Sequence, residues 1–136
     1  MREIMFRGKR LDNGAWETGS LVIVRMGCHD AQYYIADKMT GYHTHVRPST
    51  IGQYTGLKDK NGKRIFEGDI VAQNWYDYDE PRDDSFGKVV FCEYDCSFSV
   101  MDVNKDGFMP LGRCGSYHWE VEVIGNIHDK PELLEK

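Results

Sequence analysis

The sequence predicts an all-β protein, a small barrel or sandwich of short strands with one short helix at its C-terminal end. Three observations carry that expectation. Apolar residues recur with period two along most of the chain, which is the spacing of strands and not of helices. Glycine-containing turn pairs separate the apolar runs at short intervals. A helix start signal occurs near the C-terminus alone, in "NIHDKPELLEK".

In chain order, "MREIMF" sets Ile4 and Phe6 among charged neighbours, and Asn13-Gly14 follows as a tight turn. A type I′ hairpin, which needs positive φ at both central residues, is the expectation there and at Asn61-Gly62. Thr40-Gly41 and Asp106-Gly107 are weaker signals of the same kind. "YHTHV" (42–46) alternates, and "GKVVFCEYDCSFSV" reads as two strands joined tightly near Tyr94 and Asp95. "WEVEV" (119–123) places three apolar residues on one face and two glutamates on the other. At the end, Asp129 fits an N-cap, Pro131 the first turn and Glu132 the closing position of a capping box. Leu133 and Leu134 would dock that helix. The acidic segment 77–86 reads as a loop.

The chain has 136 residues, 40% hydrophobic and 29% charged, which suits one soluble domain spanning 1–136. Its longest apolar run, "LVIV" (21–24), is far too short to cross a bilayer. The opening alternates apolar and charged residues and does not resemble a signal segment, so a cytoplasmic location is expected. The four cysteines are then expected as thiols. A net charge of −5 argues against a protein that coats nucleic acid. Residues 77–84, "DYDEPRDD", hold five acids against the single Arg82.

Chemistry-bearing patterns are few. Cys92 and Cys96 are spaced C-x3-C, and Cys114 and His118 C-x3-H, a set of residue types that suits structural zinc but lacks the tight C-x2-C knuckle. Cys92 continues an apolar strand, where a buried thiol is the simpler reading. No metal and no cofactor are expected. His43 and His45 share a strand face and can chelate an ion, but the favoured reading is that Tyr42, Thr44 and Val46 face the core and the histidines face water. "DVNKDG" (102–107) begins like a calcium loop, but its twelfth position is Arg113, a cation where a bidentate glutamate belongs. No nucleophile signature occurs, and no enzymatic activity is expected.

The stretch "GQYTGLKDKNGKRIFEGDIV" (52–71) lacks both phosphate-loop patterns and runs into a strand instead of a helix. Its Lys58, Lys60, Lys63 and Arg64 flank a hairpin tip, with Tyr54, Phe66 and Trp75 near in sequence. Small barrels bind single strands with such basic and aromatic surfaces. A solvated hairpin tip accounts for the same charges.

Taken whole, "TIGQYTGLKDKNGKRIFEGDIV" resembles the signature of the YopX family, proteins carried by phages and prophages. "MREIMFRGKRLDNGAWETGSLV", "GKVVF" and "VEVIGNIHDKPELLE" resemble that family's opening, middle strand and ending. Segments 25–48 and 74–86 match no family motif. The resemblance implies an SH3-like barrel, here with additional N-terminal β-hairpins and the short C-terminal helix, and it implies no catalytic residues. A phage protein that binds a host protein, in counter-defence or host takeover, is the leading expectation. Contact residues are then sought among Tyr54, Lys58, Lys60, Lys63, Arg64, Trp75, Asp77, Asp79, Asp83 and Asp84. The acidic segment would imitate nucleic-acid charge. Nucleic-acid binding through 58–64 is the first alternative, and an oligomer sequestering a small nucleotide signal is the second. A homo-oligomer is compatible with the edge strands such a fold exposes.

Overall fold

The computed structural model describes residues 1–105, 107–112 and 115–135. Among them the regular structure is antiparallel β-sheet and two single-turn 3-10 helices, with no α-helix. The chain forms two compact units, Met1–Gly56 and Leu57–Lys136.

The N-terminal unit is built from β1 (Phe6–Lys9), β2 (Trp16–Val24), β3 (Gln32–Ala36), β4 (His43–His45) and the start of β5 (Gly52–Lys58). Its hydrogen-bonded order is β4-β3-β2-β1-β5, so successive hairpins lay the first four strands side by side. Ile35, Val46 and Tyr54 are its buried apolar residues. Gly8 packs tightly beside Val46: a Cβ there would stand 3.0 Å from the valine methyl, which would have to shift by a few tenths of an ångström.

The C-terminal unit contains β6 (Arg64–Phe66), β7 (Asp69–Asp77), β8 (Glu80–Cys92), β9 (Ser97–Asp102), β10 (Phe108–Pro110) and β11 (His118–Asn126). They form a five-stranded sheet in the order β10-β9-β8-β7-β11, with the far end of β5 neighbouring β6. Among the described residues this sheet does not close into a barrel. Ile65, Val71, Val89, Val100 and Val121 make the core, one valine from each of four strands and an isoleucine from β6. The period-two alternation of "WEVEV" is realised: Val121 is buried, and Trp119 and Val123 pack on that core.

A polar thread crosses this core. Trp119 Nε1 donates to Gln73 Oε1 at 2.9 Å, and Gln73 Nε2 donates to the Pro110 carbonyl at 3.0 Å. Trp75, 2% exposed, donates from Nε1 to the Gly112 carbonyl at 2.9 Å. Together these bonds hold the connection after β10 against the sheet. Trp75→Phe removes the donor, leaves the buried carbonyl unsatisfied and opens a small void. We expect a loss of about 2 kcal/mol in stability, read from urea unfolding.

Several turns differ from the sequence expectation. At neither Asn13-Gly14 nor Asn61-Gly62 does the asparagine have positive φ; only Gly14 (71°) and Gly62 (81°) do. Type I′ turns are therefore absent at both places. Arg10 N donates to the Ala15 carbonyl across a longer loop, and Asn13 Oδ1 accepts from Ala15 N. In the second turn, Gly62 N donates to the Asp59 carbonyl, and Asp59 N donates to the Lys63 carbonyl. The tight connection near Tyr94 is found between β8 and β9. Asp106, of the Asp106-Gly107 pair, lies outside the described residues.

The C-terminal helix is a 3-10 turn, Pro131–Leu134, and its N-cap is Lys130 with no side-chain cap. Asp129 does not cap it because its carboxylate accepts from Asn126 Nδ2, while Asn126 Oδ1 accepts from the amides of His128 and Asp129. A local asparagine turn thus claims the groups that a capping box would use. Leu133 does dock: its methyl meets Gly125, where a Cβ would stand 2.8 Å away.

The acidic segment is a hairpin and not a loop. β7 and β8 pair through Asn74↔Asp84, Trp75↔Asp83, Tyr76↔Pro81 and Asp77↔Glu80, with a bulge between Trp75 and Tyr76 that accommodates Arg82. The charges conceal the strand period from a reading of sequence, since both faces of this tip are exposed.

Candidate functional site: an acidic hairpin

The residues sought as contacts divide sharply. Tyr54 and Trp75 are buried, Tyr54 in the N-terminal unit and Trp75 in the C-terminal core, so neither offers a ring to a partner. Their place in the candidate surface is corrected to a packing role. Lys58, Lys60, Lys63 and Arg64 are exposed, and Asp77, Asp79, Asp83 and Asp84 all lie on the β7–β8 hairpin.

The basic turn at 58–64 is organised from within. Buried Asp59 accepts from Asn61 N and Lys63 N with Oδ1, and from Val123 N with Oδ2, at 2.9 to 3.1 Å. Lys60 N donates to the Val121 carbonyl, so the turn is stitched along β11. Lys60 Nζ is paired with Glu122 at 2.9 Å, and this bond raises the lysine pKa. Glu120 and Glu122 line the small cleft beside it with Lys60, Ala72, Asn74 and Val121. Two carboxylates beside the central lysine weaken its attraction for a phosphate backbone.

The following turn is built the same way. Asp69, fully buried, accepts from Phe66 N at 2.8 Å, and Gly68 has φ 89°. The "EGD" motif is therefore architecture.

On the acidic hairpin, Arg82 donates to Asp77 Oδ2 at 2.8 Å. Lys105 Nζ reaches Asp83 Oδ1 at 2.7 Å and Asp84 Oδ1 at 3.8 Å, and also bonds the Asp84 carbonyl. The Lys105 bond and the Asp84 amide hold the Asp83 carboxyl below the usual carboxylate range. Two cations thus brace the stem. The tip, Tyr78-Asp79-Glu80, projects beyond them, and Tyr78 is 93% exposed with φ 57°. A bulky residue in the left-handed region is strained. An open cleft of about 270 Å³ runs along this hairpin, lined by Asn74, Tyr76 and Pro81–Asp84.

The candidate metal residues are not gathered into a site among the described residues. Cys92 is buried on β8 with Sγ 4.0 Å from Asp95 Oδ2, and exposed Cys96 has Sγ 3.6 Å from the Glu93 carbonyl. His118 begins β11, with Nε2 3.3 Å from Glu120 Oε1. Cys114 lies outside the described residues, as does Arg113 of the calcium-like segment. Asp102, the first residue of that segment, turns inward. Burial pushes its pKa up, but bonds from the amides of Asn104, Phe86 and Lys105 outweigh it, and the net shift is downward. Its oxygens are occupied as a turn cap. Among the described residues no group of three His, Cys, Asp or Glu side chains is placed to hold a metal ion. Among the described residues no helix is long and apolar enough to cross a membrane.

His43 and His45 of β4 face solvent and the following Val46 is buried, but Tyr42, just before the strand, is 71% exposed and does not join the core. Tyr34 lies opposite His45 in the strand register and stacks on it, ring centroids 4.9 Å apart.

Known proteins agree with this architecture. The chain is similar to the crystal structure of protein EF1440 from Enterococcus faecalis, at 25% identity over 99% of this chain and 100% of that one, with a TM-score of 0.54. No curated protein matches it. The model of the YopX protein family matches residues 5–135, which takes in both units and every strand described above. The chain belongs to the YopX family.

Proposed function

We propose that the chain is a non-catalytic binding protein, encoded by a phage or prophage, that acts in the bacterial cytoplasm by seating its acidic β7–β8 hairpin in a basic groove of a host protein. The observation that carries this reading is the braced hairpin with a strained, exposed tyrosine at its tip. Five carboxylates against one arginine lie between 77 and 84, and strand pairing fixes their spacing. A rigid charged element loses little entropy on docking, and its field speeds encounter with a basic surface. Backbone strain at an exposed tip is of the kind kept where a side chain must be presented. In this reading the C-terminal unit is the family's SH3-like core, opened at one side to extend the hairpin.

The test is capture from lysogenic or infected cells, with proteins and small molecules both identified. The wild-type chain is expected to retain a host protein, with retention falling as salt is raised. Asp79→Asn with Glu80→Gln is expected to abolish capture. Tyr78→Gly relieves the strained φ, stabilising the hairpin by about 1 kcal/mol, yet is expected to weaken capture. Capture unchanged in both variants sinks the proposal. Retained DNA or RNA that depends on Lys58, Lys63 and Arg64 would favour the nucleic-acid reading instead, and a retained nucleotide the sequestration reading.

A further inference from the structure

We propose that His43 and His45 form a two-imidazole site for a borderline divalent transition-metal ion, of the Zn²⁺, Ni²⁺ or Cu²⁺ class, with solvent completing the coordination. The site is independent of the acidic hairpin and lies in the other unit.

Four observations converge on it. First, both histidines are on β4 two residues apart, so their rings leave the strand on one face, and both are exposed. Second, His43 Nδ1 lies 2.8 Å from the Gly41 carbonyl. A carbonyl only accepts, so Nδ1 carries the proton, which leaves Nε2 as the nitrogen with the free lone pair in the neutral ring. Metal-binding histidines have this arrangement: a backbone carbonyl on one nitrogen fixes the tautomer and turns the other outward. Gly41, with φ 72° and its amide donating to the Asp37 carbonyl, aims that carbonyl from a turn that Asp37 caps through Met39 N and Thr40 N.

Third, the Tyr34 ring lies stacked on His45 and edge-on to His43, with centroids 4.9 and 6.5 Å apart. One aromatic plate therefore restrains both imidazoles, which reduces the rotamer freedom lost on chelation. Fourth, the histidines border an open cleft of about 360 Å³ shared with Arg10, Leu11, Asp12, Tyr42 and Thr44. Its one guanidinium is held by two carboxylates, Asp12 at 2.7 Å and Glu17 at 3.2 Å, so the local charge does not repel a cation. Because Asp12 is committed to Arg10 by two bonds, it is not a third ligand. Two nitrogens plus water make an open, exchangeable site; structural zinc would need a closed set of four ligands.

Isothermal titration of the full chain with NiCl₂ tests this, with ZnCl₂ in parallel. One ion per chain is expected, and His43→Ala or His45→Ala should each weaken binding by more than about tenfold. Thermal unfolding without metal, recorded for each variant, separates the loss of the Tyr34 stacking and the Gly41 bond from the loss of binding. Cys28 and His29 offer a rival pair, so Cys28→Ser and His29→Ala are expected to bind as the parent does. Binding that survives in the double histidine variant, or is lost in Cys28→Ser, overturns the proposal, as does an absence of heat. With Zn²⁺, nitrogen-15 NMR should show His43 Nε2 shifting while Nδ1 stays protonated. Metal on Nδ1 refutes the assigned geometry.

Discussion

Gly87→Ala is expected to cost about 3 kcal/mol or more, and to reduce the yield of folded protein at 37 °C. Gly87 lies in β8, opposite Asp102 of β9 and Val71 of β7. A Cβ at this position would stand 2.0 Å from the Met101 carbonyl oxygen and 2.8 Å from its carbon. Those are backbone atoms of a paired strand, so no side-chain rotation relieves the overlap. The β8–β9 ladder must open, and Val89 and Val100 of the core face each other in the same ladder. Gly14→Ala gives the contrast. Its φ is 71° but nothing lies within 4 Å of the added methyl, so only the left-handed backbone is penalised, by about 1 kcal/mol. Chemical denaturation of the two variants side by side separates steric overlap from dihedral strain. A Gly87→Ala protein as stable as Gly14→Ala would mean that the two strands are further apart than described.

Asp59→Ala is expected to destabilise by about 3 kcal/mol, since it strips a buried anionic acceptor from the amides of Asn61, Lys63 and Val123. Charge-assisted bonds of this kind are stronger than neutral ones. The same carboxylate sets a pH dependence. Burial drives its pKa up, but the amides of Val123, Lys63 and Asn61 and the Lys63 charge outweigh burial, so the folded value lies below the ordinary 3.8. A depressed folded value means that the stabilisation is complete above the unfolded value and drains away as pH falls through the folded one. Acid titration of stability below about pH 4 should therefore be shallower in Asp59→Asn than in the parent. Equal slopes would remove Asp59 from the account.

Much of this fold is written in local pattern. The alternation of "WEVEV", the β8–β9 hairpin and the Asp69 turn depend on residues within a few positions of one another, and the sequence displays them. What it conceals is long-range. Asp59 looks like one more charge on a solvated tip until Val123 N, 64 positions away, is found on its carboxylate. Trp75 looks like a surface ring beside an acidic run, yet its indole is consumed by the Gly112 carbonyl. Gly87 carries no turn signature, because its need is for strand proximity. The acidic hairpin fails the period-two test for a different reason: with both faces in water, no alternation is required. For the imidazole pair, spacing gives the shared face, while the Gly41 carbonyl and the Tyr34 ring become visible only once β3 and β4 are paired.

The margins of the C-terminal sheet carry a final consequence. At one margin β10 is three residues long and ends in Pro110, which has no amide to offer. At the other, the Val121 carbonyl and the Val123 amide of β11 are already taken by Lys60 and Asp59. A stray strand therefore meets a short ladder at one border and a partly occupied one at the other, which disfavours edge-to-edge pairing. At these two borders the sheet presents side chains more than free backbone.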